Sequence, residues 1–141
     1  MIFLDTSWLV KRLVDERGAA DVRRIIAAHD VLVVSEIASV EFHSAMQRRR
    51  REGTLSARLA TALSAEFRDE WPTLTRVAVA SAVLSVAIEL LARHPLRTLD
   101  AIQLASAKVV MARSPETLYF GSADARLNAA AVAEAFALPV E

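Results

Sequence analysis

Short apolar runs alternate along the chain with longer segments of helical periodicity. We predict strands at 2–4, 31–34, 74–79, 117–120 and 138–140. We predict helices at 6–16, 19–29, 36–52, 55–70, 80–93, 99–112 and 124–135. Because the apolar residues of each strand are consecutive, the strands suit a parallel sheet that is buried on both faces. The pattern predicts a layered α/β domain with a mostly parallel central sheet of about five short strands, flanked by about seven helices.

A carboxylate follows the first predicted strand directly. Asp5 comes after the apolar run 2–4 and stands next to Thr6 and Ser7. In a parallel sheet, ligands bind in the crevice beyond the carboxyl ends of the strands. Asp5 alone would be an ordinary helix cap, but its position makes it a candidate site residue.

A second carboxylate lies on the apolar side of the predicted helix 36–52. At 100° per residue, Glu41 falls between Ile37 and Ala45, away from the polar side of the helix. A glutamate that faces the core is unfavourable unless it is paired, protonated or bound to a metal ion. A core ion pair with an arginine, or a side chain that reaches solvent, is the structural alternative.

Two further aspartates are predicted in the first turns of helices. Asp100 heads an otherwise apolar row on the helix 99–112, and Asp124 follows a strand and the predicted cap Ser122. Each alone is typical of an acid at a helix N-terminus. Together with Asp5 and Glu41, however, they would place four carboxylates at one end of the sheet.

Four neighbouring carboxylates repel one another unless a cation neutralises them. The chain has no cysteine and only three histidines, so oxygen ligands are expected, and these favour Mg²⁺ or Mn²⁺. Such an ion activates a water for attack on a phosphodiester, which makes phosphoryl-transfer chemistry the expectation.

The composition bounds the kind of protein. The chain has 141 residues, which suits one domain at 1–141, and 54% of them are apolar, as in folded proteins. It lacks an apolar run of about 20 residues and the features of a signal peptide, so a cytosolic protein is expected. Its 17 basic and 17 acidic residues cancel, so any contact with nucleic acid must rest on local charge.

Two features suggest contacts with a partner. Arg48, Arg49, Arg50 and Arg51 form either a phosphate-binding patch or a solvated helix end. Trp8 projects away from the apolar residues of the helix 6–16, so we predict that it stacks on a base, seats a side chain of a protein partner, or is covered by a neighbouring helix or by the second copy of a dimer.

Four segments together resemble the acidic motifs of PIN-domain nucleases. They are "FLDTS", "SVEFHSAM", "LRTLDAIQLASA" and "FGSADARLNAAA", and their order and spacing resemble those of the VapC toxins of bacterial type II toxin–antitoxin modules. The resemblance implies a three-layer PIN-like fold and a Mg²⁺- or Mn²⁺-dependent endoribonuclease. It also implies a homodimer that a cognate antitoxin silences.

The resemblance also assigns site residues by position. Asp5 and Asp100 are expected first as direct metal ligands, whereas Glu41 and Asp124 would bind directly or through water. Thr6 and Ser122 match the positions of supporting hydroxyls.

Two other classes compete with the nuclease. A phosphoacceptor signalling domain needs a lysine at a strand end, but Lys11 and Lys108 both lie within predicted helices. A catalytically silent PIN-fold binding or assembly module is the alternative that remains, although such a scaffold has no use for a repulsive acidic cluster.

Overall fold

A parallel sheet organises the computed structural model, which describes residues 1–139. Its strands are β1 Ile2–Leu4, β2 Leu32–Ser35, β3 Thr75–Val77 and β4 Tyr119–Gly121. They are ordered β3-β2-β1-β4, and every neighbouring pair is parallel. The N-terminal strand β1 therefore lies inside the sheet, between β2 and the C-terminal strand β4.

Seven α-helices connect and cover the strands within residues 1–139. They are α1 Thr6–Leu13, α2 Ala19–Ala27, α3 Ile37–Arg51, α4 Ala57–Glu70, α5 Ser81–Arg93, α6 Thr98–Met111 and α7 Ala125–Ala133, with a short 3-10 turn at Trp71–Thr73. Side-chain caps begin three of them, since Asp5, Ser56 and Asp124 accept hydrogen bonds from the first turns of α1, α4 and α7. None of the helices in this range is long and apolar enough to span a membrane.

Each face of the sheet packs against its own group of helices. Ile2 and Leu4 belong to one core cluster with residues of α1 to α4, whereas Phe3 belongs to a second cluster with residues of α5 to α7. Stacked rings occur in both clusters, with centroids 4.1 Å apart for Phe42 and Phe67 and 5.5 Å apart for Phe3 and Phe120. The predicted three-layer α/β fold is confirmed. Strands β1, β2 and β4 are largely buried as predicted, whereas the edge strand β3 is mostly exposed.

The strand predicted at 138–140 is not formed at its described residues, 138 and 139. Within the described residues, pairing beyond β4 is limited to a parallel bridge between Tyr119 and Ala137, where the Ala137 carbonyl accepts a 3.0 Å hydrogen bond from the Phe120 N–H. Residue 140 of the prediction lies outside the described residues. The described sheet thus has four strands instead of about five.

The topology brings residues that are far apart in sequence together at the carboxyl ends of the strands. Because β1 and β4 are parallel neighbours, Asp5 and Ser122 leave the sheet side by side, and α1 and α7 begin there. The Asp5 N–H continues the pairing with a 2.9 Å hydrogen bond to the Gly121 carbonyl.

Candidate acidic site

One cleft contains all four acidic residues singled out in the sequence. It has a volume of about 820 Å³ and lies beyond the carboxyl ends of β1 and β4. We call it the acidic cleft, and Asp5, Glu41, Asp100 and Asp124 are among its lining residues. Four segments far apart in sequence therefore contribute one carboxylate each.

Asp5 lies buried at the base of the acidic cleft, where it caps α1. Its Oδ2 accepts hydrogen bonds from the Ser7 hydroxyl at 2.6 Å, the Ser7 N–H at 3.2 Å and the Ser122 hydroxyl at 3.1 Å. Burial raises the pKa of Asp5, although these hydrogen bonds oppose the shift. The carboxylate is thus held rigidly by hydroxyl donors from both neighbouring strand ends.

Ser7 ties these two strand ends together. Its hydroxyl donates to Asp5 and accepts a 2.9 Å hydrogen bond from the Ala123 N–H. Only Thr6 and Ser122 were predicted as supporting hydroxyls. The placement of Ser7 two residues after an N-cap aspartate, however, is a local pattern that indicates such a contact.

Glu41 is half-buried on α3 and binds neutral donors instead of an arginine. Its Oε1 accepts hydrogen bonds from the Thr6 hydroxyl at 2.8 Å and from the Gln103 amide at 2.6 Å. Burial raises the pKa of Glu41, and these two hydrogen bonds oppose the shift. The negative charges of Asp5 and Asp100 raise this pKa further, so the carboxylates of the cleft repel one another.

Gln103 was not predicted as part of the site. It lies on α6, is fully buried, and donates from Nε2 to both Thr6 and Glu41. Its Oε1 is buried without a hydrogen-bond partner among the described residues, which costs about 1–3 kcal/mol. The sequence signal for this residue was an amide next to the apolar row that Asp100 heads.

Asp124 is the N-cap of α7 instead of a first-turn residue. Its Oδ1 accepts hydrogen bonds from the N–H groups of Leu127 at 3.1 Å and Arg126 at 2.8 Å, which lower the pKa of Asp124. The predicted cap, Ser122, instead accepts from the Asp124 N–H at 3.0 Å and donates to Asp5. Ser122 therefore links two of the acidic residues.

Asp100 stands where the sequence predicted, in the first turn of α6. It is half-buried and lines the acidic cleft, as does the exposed Arg97 at the N-cap of the same helix. The positive charge of Arg97 also contributes to lowering the pKa of Asp124. Arg97 was not predicted as part of the site. The sequence feature that could have indicated it is a positive charge three residues before the candidate ligand Asp100.

Trp8 is covered within the chain, so of the predicted alternatives the exposed contact with RNA or an antitoxin is wrong and the covered side chain is right, although β4 takes part in covering it. The side chain is only 8% exposed and belongs to the core cluster of α1 to α4. Its ring packs on Gly121, where an added Cβ would lie 2.5 Å from Cε3 of Trp8. The polar side of α1 at this point faces β4, which a projection of the helix alone does not reveal.

The four consecutive arginines at the end of α3 fall into two groups. Arg48 and Arg49 line the acidic cleft, whereas Arg50 and Arg51 are not among its lining residues. Arg49 is bound to Glu16 at 2.7 Å, and Lys11 reaches the same carboxylate at 3.1 Å. The structure thus divides the segment by position, and phosphate binding by its arginines stays a prediction.

The donor chemistry of the cleft fits a hard divalent cation. Its carboxylate and hydroxyl oxygens are the ligands that Mg²⁺ and Mn²⁺ prefer, and mutual repulsion of the carboxylates favours a neutralising charge. Among residues 1–139, no three aspartate, glutamate or histidine side chains lie close enough together to hold one ion. As the side chains stand, at most two of them would therefore bind the same ion directly, and Mg²⁺ commonly takes one or two carboxylates and retains water in its remaining positions.

The fold and the cleft define a three-layer α/β protein with an acidic cleft at the carboxyl ends of the strands of a parallel sheet. The model of the PIN domain family matches residues 2–133. The chain belongs to the PIN domain family.

Two solved structures share the fold over most of their length. A toxin–antitoxin complex from Klebsiella pneumoniae aligns with a TM-score of 0.64 and 17% identity over 88% of this chain and 87% of that one. VapC20 from Mycobacterium tuberculosis, described as a sarcin–ricin loop cleaving toxin, aligns with a TM-score of 0.67 and 21% identity over 97% of each chain. A comparison with curated proteins gave no match.

Proposed function

We propose that this protein is a Mg²⁺- or Mn²⁺-dependent endoribonuclease and the toxin of a type II toxin–antitoxin module. The observation that carries the proposal is the convergence of four carboxylates from separate segments on one cleft. Membership of the PIN domain family and the fold shared with a VapC toxin support it. We further propose that residues 1–141 act as one nuclease domain.

The acidic residues have distinct proposed roles. Asp5 and Asp100 bind the divalent ion directly, and Glu41 and Asp124 bind it directly or through water. Bound there, the ion supplies Lewis-acid activation of a water and neutralises charge on the phosphodiester.

The remaining groups of the cleft orient these acids. Ser7 and Ser122 fix Asp5 through Oδ2, and Thr6 fixes Glu41 through Oε1. Because Asp5 and Glu41 are each held by a short hydroxyl contact, these two carboxylates need little reorganisation when an ion binds.

Two cations of the cleft are suited to the phosphates of RNA. Arg48 and Arg97 line the cleft, are exposed, and form no ion pair within residues 1–139, whereas Arg49 is occupied by Glu16. A guanidinium group matches phosphate geometry. We assign Arg48 and Arg97 to the RNA backbone and leave Arg49, Arg50 and Arg51 secondary roles in RNA or antitoxin binding.

An antitoxin and a second copy of the chain complete the proposal. We propose that the protein encounters both partners in the cytoplasm, where its RNA substrate is also located, and we propose no membrane contact.

Helix α5 offers a face for the homodimer, since Leu84, Ile88 and Leu91 form an exposed apolar stripe. The charged neighbours Glu89 and Arg93 lie 3.8 Å apart and compensate each other, so two copies of this neutral stripe can meet without repulsion. Light scattering of Ile88→Glu should then report a monomer.

Cleavage of structured RNA by the purified protein tests the proposed activity. We expect cleavage with Mg²⁺ or Mn²⁺ and none with EDTA. Asp100→Asn and Asp5→Asn should lower the rate by about 100-fold or more, because each removes a charge that holds the ion. Asp30→Asn, at an exposed position outside the cleft, is the matched control.

The outcome also separates the nuclease from the silent binding module. Equal rates in EDTA and Mg²⁺, or full activity of Asp100→Asn, would contradict the metal-dependent mechanism. A protein that binds an antitoxin but cleaves none of several RNAs with either metal would be the binding module.

A further inference from the structure

Gln103 occupies a position where an apolar residue would be expected. It is fully buried on α6 between Ala101 and Ala105, and Leu104 beside it is also fully buried. The amide connects three elements, because Thr6 begins α1 and Glu41 lies on α3. Few buried side chains in this core are polar, so its presence requires an explanation.

The hydrogen bonds fix the orientation of the amide. Nε2 donates to Thr6 Oγ1 at 2.9 Å and to Glu41 Oε1 at 2.6 Å. The reversed amide would direct its carbonyl oxygen at the Glu41 carboxylate, which has no proton to donate when it is ionised. The amide is therefore held by Glu41, and Glu41 by the amide.

Stability alone does not account for this arrangement. Oε1 of Gln103 is buried without a partner among the described residues, so the side chain carries an unsatisfied acceptor that leucine or methionine would not. Local features that conflict with stability are expected at functional sites.

The two donors also define which oxygen of Glu41 remains for other ligands. Thr6 and Gln103 both bind Oε1, and neither binds Oε2. Thr6 itself accepts from Gln103, so the three side chains form a closed triangle in which each restrains the other two.

We propose that Gln103 is a positioning residue that fixes the Glu41 carboxylate in the acidic cleft and reserves its Oε2 for the divalent ion or its water shell. The inference rests on the proposed function. The amide lies behind the carboxylate and acts only through Glu41.

The test replaces the amide by an apolar side chain of similar length. In Gln103→Met, Mn²⁺ affinity measured by calorimetry should fall about tenfold, as for other residues that support metal ligands. The thermal unfolding midpoint should stay the same or rise, because the unsatisfied acceptor is lost with the donor. Gln47→Met is the matched control, because Gln47 is the other of the chain's two glutamines and is exposed. It should change neither quantity.

A double-mutant cycle with Glu41→Gln distinguishes positioning from a structural role. If Gln103 acts through Glu41, adding Gln103→Met to Glu41→Gln should cause no further loss of Mn²⁺ affinity. A lowered midpoint with unchanged Mn²⁺ affinity, or equal losses in both backgrounds, would overturn the proposal. So would the failure of both Gln103→Met and Gln103→Leu to fold.

The failure of the proposed function would look different. A wild-type protein that binds neither Mn²⁺ nor Mg²⁺ contradicts the metal-dependent nuclease itself. A wild-type protein that binds Mn²⁺ and cleaves RNA, with Gln103→Met indistinguishable from it, contradicts only the role of Gln103.

Discussion

Asp124 combines a structural and a proposed functional role in one carboxylate. As N-cap it accepts two backbone hydrogen bonds with Oδ1, and it also lines the acidic cleft. Asparagine is as good an N-cap as aspartate but carries no charge, so two substitutions can separate the roles.

Asp124→Asn should lower RNA cleavage while it leaves stability almost unchanged. Asp124→Ala should lower cleavage equally and also reduce the free energy of unfolding by about 1 kcal/mol, because α7 loses its cap. Urea unfolding and RNA cleavage of both variants provide the measurements. If Asp124→Asn retains full activity, Asp124 serves only as a cap.

Gly121 is required where β4 meets the Trp8 ring. A Cβ at this position would lie 2.5 Å from Cε3 and 2.8 Å from Cζ3 of Trp8. Gly121→Ala should therefore reduce the free energy of unfolding by about 1–3 kcal/mol, as other overpacked substitutions do.

The control for Gly121 is a second substitution that makes room. Trp8→Leu in the Gly121→Ala background should recover part of the loss, which the two single variants and the double variant measure by urea unfolding. Additive losses would show that the ring is not the obstacle.

At the scale of elements, one carboxylate joins the C-terminal ends of three helices by binding basic side chains of the other two. Glu134, directly after α7, binds Arg93 at 3.1 Å, His94 at 2.6 Å and also Lys108. Burial alone would raise the pKa of Glu134, but the hydrogen bonds from Lys108, His94 and Arg93 lower it to about 2.

The lowered pKa of Glu134 makes its contribution to stability depend on pH. Because the folded-state pKa lies below the unfolded value of 4.5, the contribution is complete above about pH 5 and is lost as the pH falls toward about 2. We expect the free energy of unfolding of the wild type to exceed that of Glu134→Gln by about 1–3 kcal/mol at pH 7, and the difference to become progressively smaller at pH 4 and pH 3. Urea unfolding at each pH measures the difference, and a constant difference would contradict the ion-pair explanation.

The elements were more predictable than the contacts between them. The helical periodicity of apolar residues located the seven helices of residues 1–139. The short apolar runs identified the four strands of the described sheet, because both signals are local. The strand predicted at 138–140 depended on pairing with the edge of β4, which local pattern does not encode.

Two residues of the candidate site could be predicted because each contradicted its surroundings, whereas Asp100 and Asp124 were singled out only by their shared location and by the family resemblance. Glu41 stood out as an acid on an apolar helix face, and Asp5 as an acid at a strand end. Trp8 was misassigned because its helix is covered on a second side by β4, and Gln103 was missed because an amide is a weaker anomaly than a charge.

At the scale of the whole molecule, the proposed binding of an ion in the acidic cleft would be coupled to folding. An ion that binds only the folded chain stabilises it, by about 2.7 kcal/mol at a concentration 100 times its Kd. Mn²⁺ or Mg²⁺ should therefore raise the thermal unfolding midpoint, and EDTA should reverse the effect.

Matched variants assign this stabilisation to the cleft. Asp100→Asn should reduce the shift in the midpoint, while Asp30→Asn should retain it, as scanning calorimetry with and without Mn²⁺ can determine. An equal shift in Asp100→Asn would place the bound ion elsewhere on the molecule.

The central position of β1 has a consequence for how the protein is made. Asp5 leaves the ribosome early, yet the hydroxyl of Ser122 that holds it lies 117 residues later. Until β4 has been translated, β1 lacks one of its two neighbouring strands, and Asp5 and Asp124 cannot come together in the acidic cleft. The acidic cleft of the proposed nuclease is therefore incomplete until translation has passed Asp124.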